Sequence, residues 1–280
     1  MTNPQVTGCP SSVVNAQMEQ PVIAVCAVTM RFPIAKRYRE LLLHPFCPRR
    51  VCTALRGTTF QIEKGDCVAI MGPNGAGKTT LLKLIGALLL PSEGDIFVGG
   101  VNTVSHGLEA RKSVGFVLNE ERSFFWRLTA IQNLEFFGAL DNLWGADLDD
   151  RIHELIGLVG LGDVADRPVS GFSSGMKQRL ALARGLIAEP DILILDEPTR
   201  ALDPIAAEEL TELILDRIHQ DSRKTLLIAT HRPEEAVRLC NKVLVIDNGR
   251  LKGFDRIAEL SEKGMSLLEY YRERLQADTE

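Results

Sequence analysis

The chain has 280 residues, 45% of them hydrophobic, and carries 32 Lys and Arg against 37 Asp and Glu, a formal net charge of −5. That length and apolar content suffice for one large domain or a core with a subdomain, and the acidic balance lacks the electrostatic footprint of a nucleic-acid binder. The six cysteines are scattered without a CxxC pair, which argues against a zinc or redox centre. No apolar run approaches the roughly 18 residues that span a bilayer.

Residues 1–20 are polar, hold prolines and show no periodicity, the pattern of a disordered tail without the basic-then-apolar order of a signal peptide. Order is expected to begin at PVIAVCAVTM. The next segment, RFPIAKRYRELLLHPFCPRR, carries Arg31, Lys36, Arg37, Arg39, Arg49 and Arg50 against Glu40. Such an insertion suits a membrane subunit or anionic headgroups, and equally a solvated surface. Strand-like runs then alternate with helical patterns: CVAIM with KTTLLKLIGALL, then SVGFVL, DILILD, TLLIAT, and KVLVID with the turn DNGR. This alternation predicts an α/β fold on a largely parallel sheet.

The middle of the chain departs from that rhythm. TAIQNLEFFGAL, DLDDRIHELIGLVGL and the helix that opens at FSSGMKQR are helical patterns with no strand between them. They predict an inserted helical subdomain over 119–188, which splits the core into 21–118 and 189–254. Asp147 is the expected N-cap of the second helix, with acids crowding its first turn. The tail, 255–280, reads as one or two amphipathic helices.

Four segments carry chemistry. GPNGAGKTT, Gly72–Thr80, stands between a strand and a helix and matches the G-x-x-x-x-G-K-[ST] phosphate loop. Gly72, Gly75 and Gly77 let the backbone wrap with its N–H groups inward, with Pro73, Asn74, Ala76 and Thr80 completing the loop. Lys78 is expected to reach the β- and γ-phosphates of a bound nucleotide and Thr79 to offer its hydroxyl to Mg²⁺. DILILDEPT ends a buried strand in two acids, Asp196 and Glu197, where unpaired carboxylates would be costly. At the carboxyl edge of an open sheet, Asp196 is placed to hold Mg²⁺ and Glu197 to act as general base on water; two solvated acids in a loop is the plainer alternative. TLLIAT delivers His231 to the same edge, where a catalytic and a structural role are both open. FSSGMKQR, Phe172–Arg179, adds small hydroxyl residues and a glycine at a helix start, which makes a second anion-binding corner.

Taken together, in the order phosphate loop, helical insert, signature, acidic strand end, ALD at Ala201–Asp203 and histidine, these segments resemble the ATP-binding cassette (ABC) ATPases from about Val22 to Gly253. The resemblance implies a P-loop NTPase core with a mainly parallel sheet, a small antiparallel β subdomain and the helical insert. It also implies that the chain is an ATPase using ATP and Mg²⁺, on the cytoplasmic face of the membrane through a separate permease subunit. ATP would pair two chains head to tail, so that Ser173, Gly175 and Asp203 meet the nucleotide on the partner's phosphate loop. Ser174 and Met176 depart from the usual L-S-G-G-Q.

The resemblance further places an adenine-stacking aromatic at Phe32, for which ordinary packing is the alternative. It places a metal-contacting residue at Asn119, with Glu120 the other candidate. Phe124, Phe125 and Trp126 fall where such ATPases receive the transport subunit, or else pack within the helical insert. In detail the motifs look most like exporters of polysaccharides, lipid-linked glycans and related amphiphiles. A soluble ABC ATPase acting on DNA or ribosomes, and an importer subunit, are the competing readings; no nucleic acid is expected as partner.

Overall fold

The computed structural model describes residues 21–34, 51–118, 124–220 and 223–276. The expected tail 1–20, the basic positions 36–50, and Asn119 and Glu120 lie outside the described residues. Strands and helices are numbered in chain order.

Four antiparallel strands, β1 (Ile23–Pro33), β2 (Val51–Ile62), β4 (Glu93–Val98) and β5 (Val101–Asn102), form one sheet in the order β2-β1-β4-β5. Six more strands form the second: β3 (Cys67–Met71), β6 (Val114–Leu118), β7 (Ile192–Asp196), β8 (Thr225–Ala229), β9 (Lys242–Asp247) and β10 (Arg250–Arg256). Their order is β10-β9-β3-β8-β7-β6, parallel from β9 to β6. β10 pairs antiparallel with β9 through Asn248-Gly249, both with positive φ, as a two-residue hairpin of primed type requires.

Every residue of β3 and β8 is buried, which is why these strands read as continuous apolar runs rather than alternating ones. The period of two still sorts them between two cores. Cys67, Ala69, Met71, Leu226, Ile228, Leu193 and Leu195 pack with the helical region. Val68, Ile70, Leu227, Ala229, Ile192 and Ile194 face the other way and pack with the antiparallel sheet and the helix that follows the phosphate loop. The parallel sheet is thus sandwiched, and its strand ends are left to point at whatever lies along its edge.

That helix is α1 (Lys78–Ile85); α2 (Gly107–Lys112) follows β5. Three helices, α3 (Ala130–Leu140), α4 (Ala146–Leu158) and α5 (Ser174–Leu186), make up the insert. Among its described residues there is no strand, only a single bridge between Thr129 and Pro168. Thr129 caps α3 reciprocally with Gln132. Asp147 does not cap α4. Gly145, with φ 72° and ψ −156°, caps the helix two residues before Asp147, and Asp147 and Asp149 fall in the first turn, where they face the positive end of the helix.

Beyond the insert come α6 (Pro204–Glu212), which continues in π-type spacing over Leu213–Gln220, and α7 (Pro233–Leu239). The tail forms two short helices, α8 (Ile257–Glu262) and α9 (Leu267–Gln276), and β10 extends two residues past the expected core boundary. Tyr270 anchors α9. It is 2% exposed, and its hydroxyl donates to Asp255 of β10. Cys67 and Cys240, 173 residues apart, bring their Sγ atoms to 3.4 Å as free thiols in the core.

Candidate active site

β3, β8 and β7 are neighbours in the parallel sheet, so their carboxyl ends share one edge. The phosphate loop leaves β3 there, Asp196 and Glu197 leave β7, and His231 follows β8 by two residues. A cleft of about 340 Å³ opens at this edge, lined by residues 74–80 together with Ala54, Lys83, Asp196, Glu197 and Arg200.

The loop is held by backbone approach. A Cβ on Gly72 would lie 2.2 Å from the Ile246 carbonyl oxygen, and one on Gly77, at φ +110°, 2.5 Å from the Ala54 carbonyl oxygen. Only glycine lets the loop sit this close to β9 and β2. The β9–β10 turn latches it: Gly249 N–H donates to Ala76 O at 3.0 Å, and Gly249 O accepts from Arg56 N–H at 2.8 Å. Lys78 is buried and folds back on the loop, donating to Gly72 O at 2.6 Å and Pro73 O at 3.1 Å. Burial pulls its ammonium below the usual lysine range, and the nearby Glu197 and Asp196 oppose that pull.

Thr79 Oγ1 donates to Asp196 Oδ2 at 3.0 Å, joining α1 to the end of β7. Burial raises the Asp196 carboxyl; the Thr79 bond works against the rise and Glu197 adds to it. Glu197 takes φ +50°, and its N–H donates to Ala229 O of β8 at 2.9 Å. A non-glycine residue in that conformation carries about 1–3 kcal/mol of strain, tolerated where the surroundings hold it. The turn sends the Glu197 carboxylate toward β8, with Oε1 3.3 Å from His231 Nδ1 and Oε2 2.9 Å from Arg200 Nη1. The Arg200 contact is an ion pair without hydrogen-bond alignment, which leaves Oε2 buried and unbonded.

Chemically, the loop amides and Lys78 form a cradle for phosphate oxygens. The Thr79 hydroxyl and the Asp196 carboxylate are hard oxygen donors, side by side, of the kind Mg²⁺ prefers. Among the described residues no group of three or more His, Cys, Asp or Glu side chains could hold a metal by itself. A Mg²⁺ here would therefore complete its octahedron with phosphate and water oxygens, its usual habit, and the two donors fit it.

Phe32 stands apart from this cleft. It is half-buried at the end of β1 opposite Cys52, two residues from cleft-lining Ala54, and packs against the core on that side of the sheet. Ser173, Gly175 and Asp203 are not in the cleft either. Ser173 caps α5, accepting from Met176 N–H at 3.2 Å, and Asp203 caps α6, accepting from Ile205 and Ala206 N–H at 3.0 Å. A Cβ on Gly175 would come 3.5 Å from Ala206 Cβ, so the two helix starts lie side by side with Ser173 and Asp203 exposed. Phe124 is buried in the helical core, whereas Phe125 and Trp126 are exposed and Phe125 stacks edge-on to Phe136 at 4.6 Å.

Ala54, Lys83 and Arg200 were not singled out by the motifs. Lys83 follows Thr79 by four residues, a spacing that puts both on one helix face, and Arg200 stands three residues after Glu197, so both had a local signal. Ala54 had none, because it reaches the loop only through β2.

The ABC transporter family model matches residues 55–200. NatA, an ABC transporter ATP-binding protein of Bacillus subtilis (strain 168), is 39% identical over 203 residues, 72% of this chain and 82% of the relative. The Nod factor export ATP-binding protein I of Ralstonia nicotianae is 38% identical over 230 residues, 80% of this chain and 70% of the relative. The sulfate/thiosulfate import ATP-binding protein CysA of Rhodopseudomonas palustris is 36% identical over 217 residues, 76% of this chain and 62% of the relative. Among solved structures, the dimeric post-hydrolysis state of the ATP-binding cassette MJ0796 bound to ADP and Pi superposes with a TM-score of 0.71 at 26% identity, over 84% of this chain and 98% of that one.

Proposed function

The chain belongs to the ABC transporter family as an ATP-binding ATPase subunit, and on that premise we propose that it powers an exporter, paired with a second copy on a separate membrane permease. The observation that carries the hydrolytic part is the meeting of Lys78, Thr79, Asp196, Glu197 and His231 at one sheet edge. In this reading the loop amides and Lys78 hold the β- and γ-phosphates, and Glu197 accepts a proton from the water that attacks the γ-phosphorus, giving ADP and phosphate. His231, 3.3 Å from Glu197 Oε1, steadies that carboxylate and presents its other nitrogen to the phosphate. Mg²⁺ on Thr79 and Asp196 would neutralise charge on the phosphate oxygens. Asn119, or Glu120, belongs to the same proposed set.

Pairing follows from the two helix starts outside the cleft. As acceptor from Met176 N–H, the Ser173 hydroxyl keeps its own hydrogen for a phosphate oxygen, and Gly175 beside it leaves room for close backbone approach. A γ-phosphate on the partner's loop would gain a charge-assisted bond that ADP cannot supply, so ATP favours the pair and its hydrolysis loosens it. Asp203, beside this corner, would line the same junction. Phe32 is assigned to the adenine. The exposed Phe125 and Trp126 would face the permease, which keeps the chain peripheral to the membrane on its cytoplasmic side. No helix among the described residues is long and apolar enough to cross it.

Export is supported by likeness to Nod factor export proteins, and a glycan-bearing or lipid-linked amphiphile is the cargo class of this reading. The importer reading is favoured by the likeness to CysA. Co-purification from native membranes followed by flux in reconstituted vesicles separates them: ATP-driven movement away from the nucleotide side supports export, and movement toward it overturns export. For the chemistry, Glu197→Gln should retain ATP binding and pairing yet nearly abolish turnover. Undiminished hydrolysis would remove Glu197 as the base.

A further inference from the structure

Glu235 lies outside the cleft and in none of the motif segments. It sits in the first turn of α7, four residues after His231, and is 9% exposed. A buried carboxylate is costly to desolvate and persists where hydrogen bonds compensate. Here two hydroxyl groups do so: Thr199 Oγ1 donates to Glu235 Oε1 at 2.8 Å, and Thr230 Oγ1 donates to Oε2. Both threonines are themselves buried.

The positions of these threonines give the contact its meaning. Thr199 follows Glu197 by two residues as the chain leaves β7, and Thr230 directly precedes His231 as it leaves β8. The Thr230 hydroxyl also accepts from Arg232 N–H at 3.0 Å, so one oxygen shapes the turn that carries His231. Backbone bonds already join the strand ends, Glu197 N–H to Ala229 O at 2.9 Å and Thr230 N–H to Ile70 O at 3.2 Å. Glu235 joins the two turns again, beyond these backbone bonds and beside the Glu197–His231 contact at 3.3 Å.

We propose that Glu235 is a positioning residue for ATP hydrolysis, its two carboxylate oxygens clamping the turn after Glu197 to the turn before His231 and so setting the separation of those two groups. The proposal rests on the roles given to Glu197 and His231 above. Misplacing a working group by about 1 Å costs on the order of a hundredfold in rate, and the clamp acts on that scale. The phosphate loop hangs on β3, β2 and the β9–β10 turn rather than on α7, so ATP binding does not depend on it. Glutamine can replace the clamp: its oxygen accepts from one threonine while its amide donates to the other hydroxyl oxygen, with one hydroxyl hydrogen redirected.

The test compares kcat, and ATP affinity by titration of a fluorescent ATP analogue, in the full chain carrying E235A, E235Q, T199V and E235A/T199V, with E197Q alongside. E235A and T199V should each lower kcat roughly tenfold or more while ATP affinity stays within about twofold. E235Q should regain most of the rate, and T199V should cost little further in the E235A background. T199V is nearly isosteric, so it reads the same bond even where E235A fails to fold. A wild-type kcat in T199V, a parallel loss of ATP affinity, an E235Q as slow as E235A, or independent losses in the double variant would each overturn the clamp. E197Q keeps the two failures apart. If E197Q hydrolyses normally, the base assignment falls; if E197Q is inactive and T199V is as fast as wild type, the clamp alone falls.

Discussion

Replacing Gly77 by alanine probes how the phosphate cradle is built. Gly77 holds φ +110°, and a Cβ there would meet the Ala54 carbonyl oxygen at 2.5 Å, where ordinary contact begins near 3.4 Å. Backbone and side chain must therefore separate by close to 1 Å, a displacement that matches this shortfall of 0.9 Å. Gly75 is the control: its φ is +79°, but nothing lies within 4 Å of the added Cβ. The unusual backbone conformation costs about 1–3 kcal/mol at Gly77 and ~1–2 kcal/mol at Gly75. Forcing β2 away from Gly77 adds about 1–3 kcal/mol, the typical cost of overpacking. At ~2–4 °C per kcal/mol, that overpacking by itself should make Gly77→Ala melt roughly 2–12 °C below Gly75→Ala. Because Ala54 lines the cleft, Gly77→Ala should also weaken ATP binding. Circular dichroism melts, urea titrations and calorimetric ATP titrations of the two variants check this. Equal destabilisation of both would show that the approach of Ala54 carries no energy and would refute the reasoning.

Ser173→Arg removes the cap on α5, worth about 1 kcal/mol, and sets a bulky side chain at the exposed corner; the monomer should still bind ATP. Light scattering with ATP in an E197Q background should then show no dimer, and a dimer of undiminished affinity would count against the pairing reading. Burial raises the Asp196 carboxyl, so between the unfolded value near 3.9 and the raised one the folded chain binds more protons than the unfolded chain. That contribution to stability is complete below about pH 4 and is lost as pH rises through the folded value. Asp196→Asn, which can still accept from Thr79, should therefore be more stable than the wild type at pH 7, lose that advantage below about pH 4, and lose Mg²⁺-dependent turnover. Melts across that range check it, and an advantage that grows toward acid would contradict the sign.

The residues that proved easiest to place from sequence are those whose constraints act within a turn or along one strand. The spacing of Gly72, Gly77, Lys78 and Thr79 between a strand and a helix already specifies a phosphate loop, and an apolar strand ending in Asp196-Glu197 specifies an edge. The Asn248-Gly249 hairpin, read from the turn DNGR, is equally local. Asp147 misled because an acid in a first turn and an acid at an N-cap look alike in one dimension; the backbone angles of Gly145 decide between them.

The chain order of motifs by itself determined the fold class, the nucleotide chemistry and the presence of a helical insert, since each follows from short-range periodicity and stereochemistry. Only the tertiary structure decided which of these groups meet. It brought Thr79 to Asp196 across 117 residues and Ala54 against Gly77, left Phe32 outside the cleft, and set Ser173 and Asp203 together beyond it. It also revealed Glu235, whose partners Thr199 and Thr230 lie on two different strand ends. A carboxylate held by two hydroxyls has no sequence spacing of its own; it exists because the parallel sheet lays β7 beside β8.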